Sequence, residues 1–372
     1  MKKLLAYIVL FTTFNNICYS QIEVDTSSNY NLQFEHLKVK AYGKIGIAMG
    51  ITDDGKMGIG DNTPRLGLKG KAPIDKRKKF FVIAKAEFGA NMVNRHDYIY
   101  FSYDPGYPVG SVKSAIYSRL GYVGIETPYG ELTFGKNWGV YYQDAMYLTD
   151  QSMHWSGDAL GAWNAGTDGG ISGTGRAEDV LQYRFKKGHF SWAAQTQLRS
   201  ISDNDKPFGD SYGFSFMYSS EHFILGVAYN EVLDGVDTAT YDQAKINDKI
   251  GGLAMSYITA RINLSVAGTM FNNHEVDNLG QYYSGYGFEA HTSYYIDRKK
   301  IWQIRATYDM LIPTYEHSKD YLMSYWAAEL VYQYAINSYI FSSYKIDNSQ
   351  TVDGQKLDRN VLIFGINYAF GY

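Results

Sequence analysis

The sequence predicts an all-β protein, a transmembrane antiparallel β-barrel of about 16 strands with a long third loop folded into the lumen. Three observations lead there. Segment after segment alternates apolar and polar residues with period two; short and long connections take turns along the chain; and 35 Tyr, 19 Phe and 6 Trp accompany 37 Gly and only 7 Pro. Aromatic and glycine excess of this kind suits strands with tight corners and interfacial girdles.

The chain opens with Lys2 and Lys3, an apolar run from Leu4 to Phe14, and small-to-medium residues ending in Cys18-Tyr19-Ser20. That order reads as a secretory signal peptide over residues 1–20, cleaved after Ser20, with the mature barrel over 21–372. The apolar run is shorter than the roughly 20 residues a helical span needs. Cleavage removes two lysines, taking the formal charge from −3 to −5, and removes Cys18, the single cysteine. A mature chain without cysteine has no disulfide framework, and its charge gives no electrostatic footprint for nucleic acid.

The first alternating segment covers residues 37–49. Leu37, Val39, Ala41, Gly43, Ile45, Ile47 and Met49 share one face, while Lys38, Lys40, Tyr42 and Lys44 share the other. Over residues 80–92, Phe80, Val82, Ala84, Ala86, Phe88 and Ala90 oppose Lys85, Glu87 and Asn91. Phe190, Trp192 and Leu198 oppose Ser191, Gln195 and Gln197, and the pattern returns at Tyr212–Tyr218 and Trp302–Tyr308. In a soluble sandwich the apolar face is buried and mostly aliphatic. Here the apolar faces are aromatic-rich and the polar faces carry Gly, Ser, Gln and Arg, as a lipid-facing band around a wet lumen requires.

Short turns fall at residues 127–130, 186–188, 219–221, 259–260, 297–299 and 335–337, and longer polar connections at 52–63, 202–209, 233–248, 272–280, 311–320 and 347–358. Strict alternation of this kind places short turns and both termini on the periplasmic side and long loops outside. The closing strand alternates Leu362, Phe364, Ile366, Tyr368 and Phe370 and stops at Tyr372. Residues 138–175 form the longest irregular connection, which in a compact protein points to function.

Other chemistries lack their residues. The histidines are scattered without H-E-x-x-H spacing, so no metal ligand set or catalytic helix is read, and Asp53-Asp54-Gly55 and Asp168-Gly169-Gly170 lack the rest of a calcium loop. No cofactor is expected. A barrel enzyme or adhesin would have to assemble its site from dispersed loops.

Four stretches carry a resemblance to the general diffusion porins of Gram-negative outer membranes: Ala41-Tyr42-Gly43-Lys44, residues 64–70, residues 118–140, and Gly175-Arg176 with residues 180–184. The resemblance implies a water-filled channel for passive diffusion of small hydrophilic solutes and ions, set in outer-membrane lipid. A substrate-specific channel for oligosaccharides or phosphate-like anions is the alternative. It also implies a homotrimer, and recognition of the strand ending at Tyr372 by the barrel insertion machinery. Small residues on the first strands (Ala41, Gly43, Ala84, Ala86, Ala90, Gly124) suit a protomer interface. Carried over by position, Lys44, Arg65, Arg119 and Arg176 stand on the pore wall with Glu87 as an acidic wall position. Asp150 falls at an acidic loop position. Met153-His154-Trp155-Ser156-Gly157 falls where the family has a second loop carboxylate, with Asp158 beside it. Cations facing loop acids would set up a transverse field that orients dipolar solutes. With His154 in place of an acid, anion preference is expected to grow below a histidine pKa of about 6.5.

Overall fold

The computed structural model describes residues 38–93, 114–165, 167, 170, 172–199, 209–233, 247–314 and 320–371. The expected signal peptide (residues 1–20), Asp168 and Tyr372 lie outside the described residues. Seventeen strands among them form one antiparallel sheet. In chain order they are β1 (Lys38–Thr52), β2 (Met57–Asp61), β3 (Arg65–Pro73), β4 (Phe81–Ala90), β5 (Ile116–Thr127), β6 (Gly130–Trp138), β7 (Arg176–Lys187), β8 (Phe190–Gln197) and β9 (Ser211–Ser219). The second half comprises β10 (Phe223–Val232), β11 (Lys249–Ile258), β12 (Ile262–Val276), β13 (Tyr282–Tyr295), β14 (Trp302–Pro313), β15 (Met323–Ala335), β16 (Ser338–Asp347) and β17 (Val361–Phe370).

From β3 onward each strand pairs with the next, and β1 pairs with β17 from Gly43 opposite Phe370 to Thr52 opposite Val361. The sheet is therefore a closed barrel with no free edge. β2 and β3 both pair with β1 and make one stave, so seventeen strands give sixteen staves. This corrects the reading of residues 52–63 as one external loop: Met57 and Ile59 continue the alternation, 62 % and 54 % exposed on the outer face. The stave breaks only where Thr63 takes a φ of 50° ahead of Pro64, which has no N–H for the ladder.

Period two sorts the side chains. Leu66, Leu68, Val82, Phe88, Phe214, Phe216 and Trp326 point outward and are exposed, whereas Ser191, Gln195, Gln197, Ser265, Glu289 and Asp309 point inward and are buried. At the short-turn end, outward aromatics contact across strands, as Trp302 with Tyr332 (4.8 Å) and Phe190 with Tyr218 (5.2 Å). This is the interfacial girdle of an outer-membrane barrel.

Two of the small residues assigned to an outward interface do not offer a bare surface there. Gly124 alternates with exposed Val123 and Ile125 and so faces inward, packed against Leu132 and Thr133. Gly43 is covered by the Phe370 ring of the neighbouring strand, whose Cζ would lie 2.5 Å from an added Cβ. Ile45, Leu66, Leu68 and Val82 also project from the same staves, so that surface is apolar rather than uniformly small.

Candidate pore constriction

The inner face of the first staves collects cations because the ladder registers place them side by side. Lys44 of β1 is opposite Arg65 of β3, Lys40 is opposite Lys69, and Lys69 is opposite Lys85 of β4. Arg119 joins them through a β-bulge. Glu87 pairs with Leu120 but Phe88 pairs with Ser118, leaving Arg119 as the extra residue on β5. A bulge reverses the alternation, so Arg119 and Leu120 both face inward and are buried. Arg176, the first residue of β7, is opposite Trp138 and holds its guanidinium 5.6 Å from that ring.

These groups act on one another. Lys44 feels Arg65 and Arg119, and Arg176 feels Arg119. Glu87 is the carboxylate set among them: it accepts from Arg119 Nε (2.9 Å) and from the Tyr42 hydroxyl (2.7 Å), with Lys85 Nζ 3.7 Å away. Cations gathered at this spacing persist where water and a shared anion screen them.

The connection between β6 and β7 crosses to the opposite wall. It begins with a short helix, α1 (Val140–Asp144), and a 3-10 turn (Met146–Leu148). Beyond these, inward carboxylates of the far strands accept the loop's backbone N–H groups. Glu329 takes Met153 (2.9 Å) and His154 (3.3 Å), Glu289 takes Gly157 (2.8 Å), and Glu275 takes Trp163 (3.1 Å) and Asn164 (2.8 Å). His274 donates from Nε2 to the Gly161 carbonyl (2.9 Å), the Tyr141 hydroxyl meets Thr269 (2.8 Å), and Arg184 binds Asp144 (2.8 Å). Glycines permit the approach: a Cβ at Gly226 would collide with the Asp144 carbonyl, and one at Gly287 with that of Ala159. Trp155, Tyr141, Met146 and Leu160 of the loop are fully buried against Ile250, Leu311, Met323 and Tyr325 of the wall. The apolar core of this molecule thus lies between loop and barrel wall. A cavity of about 540 Å³ lies between the loop and the cation-bearing staves.

The family model for Gram-negative porins matches residues 21–371. The chain belongs to the Gram-negative porin family. A similar protein is the outer membrane porin protein OmpD of Citrobacter koseri, 26 % identical over 360 residues that cover 90 % of this chain and 92 % of that one. Among solved structures, Salmonella typhi OmpF in complex with daunomycin superposes with a TM-score of 0.70 at 17 % identity, over 90 % of this chain and 98 % of that one. The anion-selective porin from Comamonas acidovorans superposes with a TM-score of 0.66 at 14 % identity, over 90 % of this chain and all of that one. As a porin of the Gram-negative outer membrane, the protein forms a channel for passive diffusion of small hydrophilic solutes.

The porin's wall residues Lys44, Arg65, Glu87, Arg119 and Arg176 are brought together as described. Its loop residues are not arranged as the resemblance implied. Asp150 accepts from Tyr142 (2.8 Å) and Ser156 (3.1 Å) within the loop, and Asp158 accepts from Tyr325 (2.6 Å) on the far wall. No ion pair joins either to the arginines among the described residues. Trp155 is buried beneath Lys345, whose Nζ is 4.4 Å from its ring centre, and His154 packs edge-on against Trp155 at 4.7 Å. Burial, reinforced by Lys345 and Lys44, pushes the His154 pKa down to about 3. The imidazole is therefore neutral across the physiological range, which corrects the expectation of a charge appearing below about pH 6.5.

Sequence reasoning did not assign Lys69, Lys85 or the clamping glutamates to the site. Lys69 and Lys85 were legible, since both stand on the polar face of an alternating segment. Glu275, Glu289 and Glu329 also stand at inward positions, but nothing local marks them as acceptors of loop amides.

Proposed function

We propose that the porin's constriction lies between the loop 138–175 and the wall of β1 and β3–β7, and that it prefers anions. The observation that supports this is the separation of charge. Among the described residues, Lys44, Arg65, Lys69, Lys85, Arg119 and Arg176 gather on the open wall with Glu87, while Asp144, Asp150 and Asp158 of the loop are bound to Arg184, Tyr142 and Tyr325. A narrow wet passage lined by one sign of charge concentrates counter-ions of the other.

Planar-bilayer recording under a potassium chloride gradient tests the reading. Stepwise conductance with a reversal potential of the anion-selective sign is expected, and Arg119→Ala should move that potential toward zero. An unchanged potential in Arg119→Ala would remove the wall from the filter. The protein is further read as a homotrimer, inserted by recognition of its C-terminal strand and exported by a cleaved signal. The family match starting at residue 21, next to the expected cleavage site, supports the last point. Monomer mass in gentle detergent, or a mature N-terminus other than Gln21, would count against these readings.

A further inference from the structure

The cavity between loop and wall combines two chemistries that a passive filter does not need together. On the barrel side stand Arg65, Lys69 and Lys85; on the loop side stand Trp138, Tyr142 and Tyr147. Lys69 and Lys85 are opposite each other in the ladder, and their ammonium groups lie 5.7 Å and 5.4 Å from the Tyr42 ring. Glu87, the carboxylate of the lining, is shared by Arg119, Tyr42 and, at 3.7 Å, Lys85, one carboxylate against the three cations Arg65, Lys69 and Lys85 of the lining. The floor is therefore cationic in excess.

The aromatic side is equally organised. Trp138 and Tyr142 stack at 4.0 Å with 15° between planes, and Tyr147 stands 6.1 Å from Tyr142, tilted by 60°. Tyr147 is 52 % exposed. It belongs to the 3-10 turn of the loop and not to the outward barrel surface, so the water it faces is that of the lumen. An aromatic face left bare in a channel offers a platform for a flat apolar group. The cavity, at about 540 Å³, falls in the range of small-molecule sites.

We infer that this cavity is a subsite for small aromatic carboxylates, the ring resting on Tyr147 beside the Trp138–Tyr142 stack and the carboxylate held by Lys69 and Lys85. The inference rests on the reading of this cavity as part of the diffusion path. Inorganic phosphate would use the lysines and leave the tyrosine unused, and a neutral sugar would do the reverse; an aromatic acid uses both. A uronic acid shares the combination of anion and apolar face, but it presents a puckered and hydroxylated one.

Fluorine NMR of 4-fluorobenzoate with the purified, detergent-solubilised protein tests it, with empty micelles as the reference. Line broadening beyond that of micelles is expected. Benzoate should reverse it at lower concentration than cyclohexanecarboxylate or glucuronate, which carry the same charge without the flat ring. Tyr147→Ala should weaken binding by roughly three- to tenfold, the factor one aromatic contact supplies, and Lys69→Ala with Lys85→Ala should abolish it. Absence of broadening, or equal competition by the three acids, overturns the proposal, and both are read on the unmodified protein. Potassium chloride conductance of the same preparation separates the failures: stepwise current without benzoate binding sinks the subsite alone, and absence of current sinks the channel reading beneath it.

Discussion

The two halves of the barrel handle charge in opposite ways. On β1 and β3–β5 the inward cations face the open cavity and share Glu87. On β12–β15 the inward acids Glu275, Glu289 and Glu329 are buried under the loop and bound to its backbone amides. A buried carboxylate without donors is costly, and a buried loop backbone without acceptors is equally so. Each solves the other's problem. On the proposed reading, carboxylates spent on holding the loop do not set the field in the pore, and a lumen with acids on one side and bases on the other is not electrically balanced where solutes pass.

Prising the loop from its wall breaks this division most severely. Gly287→Val places a side chain where the Ala159 carbonyl sits, and overpacking of this kind costs about 1–3 kcal/mol or displaces the loop. Single-channel conductance should rise as the loop leaves its seat; unchanged conductance and thermal stability would show that the loop is not held against β13. A smaller effect comes from the open wall. Glu87→Gln removes its carboxylate while keeping the shape, and should strengthen anion preference, whereas Arg119→Ala should weaken it and leave Glu87 short of a donor at a cost of about 1–3 kcal/mol. Reversal potentials that move in the same direction in the two variants would contradict the assignment of opposite roles.

The halves also differ in how far the sequence discloses them. Period two and the rhythm of short and long turns reveal the staves, the closing strand and the address of the loop after the fifth stave, because each is a local property of ten or so residues. The same alternation places Lys44, Lys85 and Glu87 on the inner face, and the family resemblance adds Arg65. It does not explain Arg119 beside Leu120, since the bulge that turns both inward exists only in the pairing with β4. The destinations of Asp150 and Asp158 are less legible still. A carboxylate at a loop position is drawn either to an arginine across the pore or to a tyrosine behind it, and only the packed loop, with Tyr142 and Tyr325 in reach, decides between them.

Asp158 sharpens the comparison from the acidic side. Burial raises its pKa to about 6, with Tyr325 and Lys345 opposing the shift and Asp150 and Glu275 adding to it. A folded-state value above the ordinary one of about 3.9 means that the neutral acid fits the packed loop and that its contribution is lost as pH rises through about 6. The loop should accordingly be held more firmly at pH 5 than at pH 7.5, seen as fewer current fluctuations and a higher melting temperature, and Asp158→Asn should show a shallower slope. Parallel profiles for the two proteins would place the titrating group elsewhere.

The smallest effect concerns His154, and its smallness is the point. Its folded-state pKa of about 3 lies below the ordinary value of about 6.5, so between those values the unfolded chain takes up a proton that the packed loop refuses. The stabilising contribution is complete above about pH 6.5 and is lost as pH falls toward 3, while the charge at the constriction does not change over that interval. The difference in reversal potential between the wild type and His154→Gln should therefore stay constant from pH 7.5 to 4.5. A divergence centred near pH 6.5 would mean that the imidazole ionises in the open pore, as an exposed histidine does, and that the loop side carries a switchable charge after all.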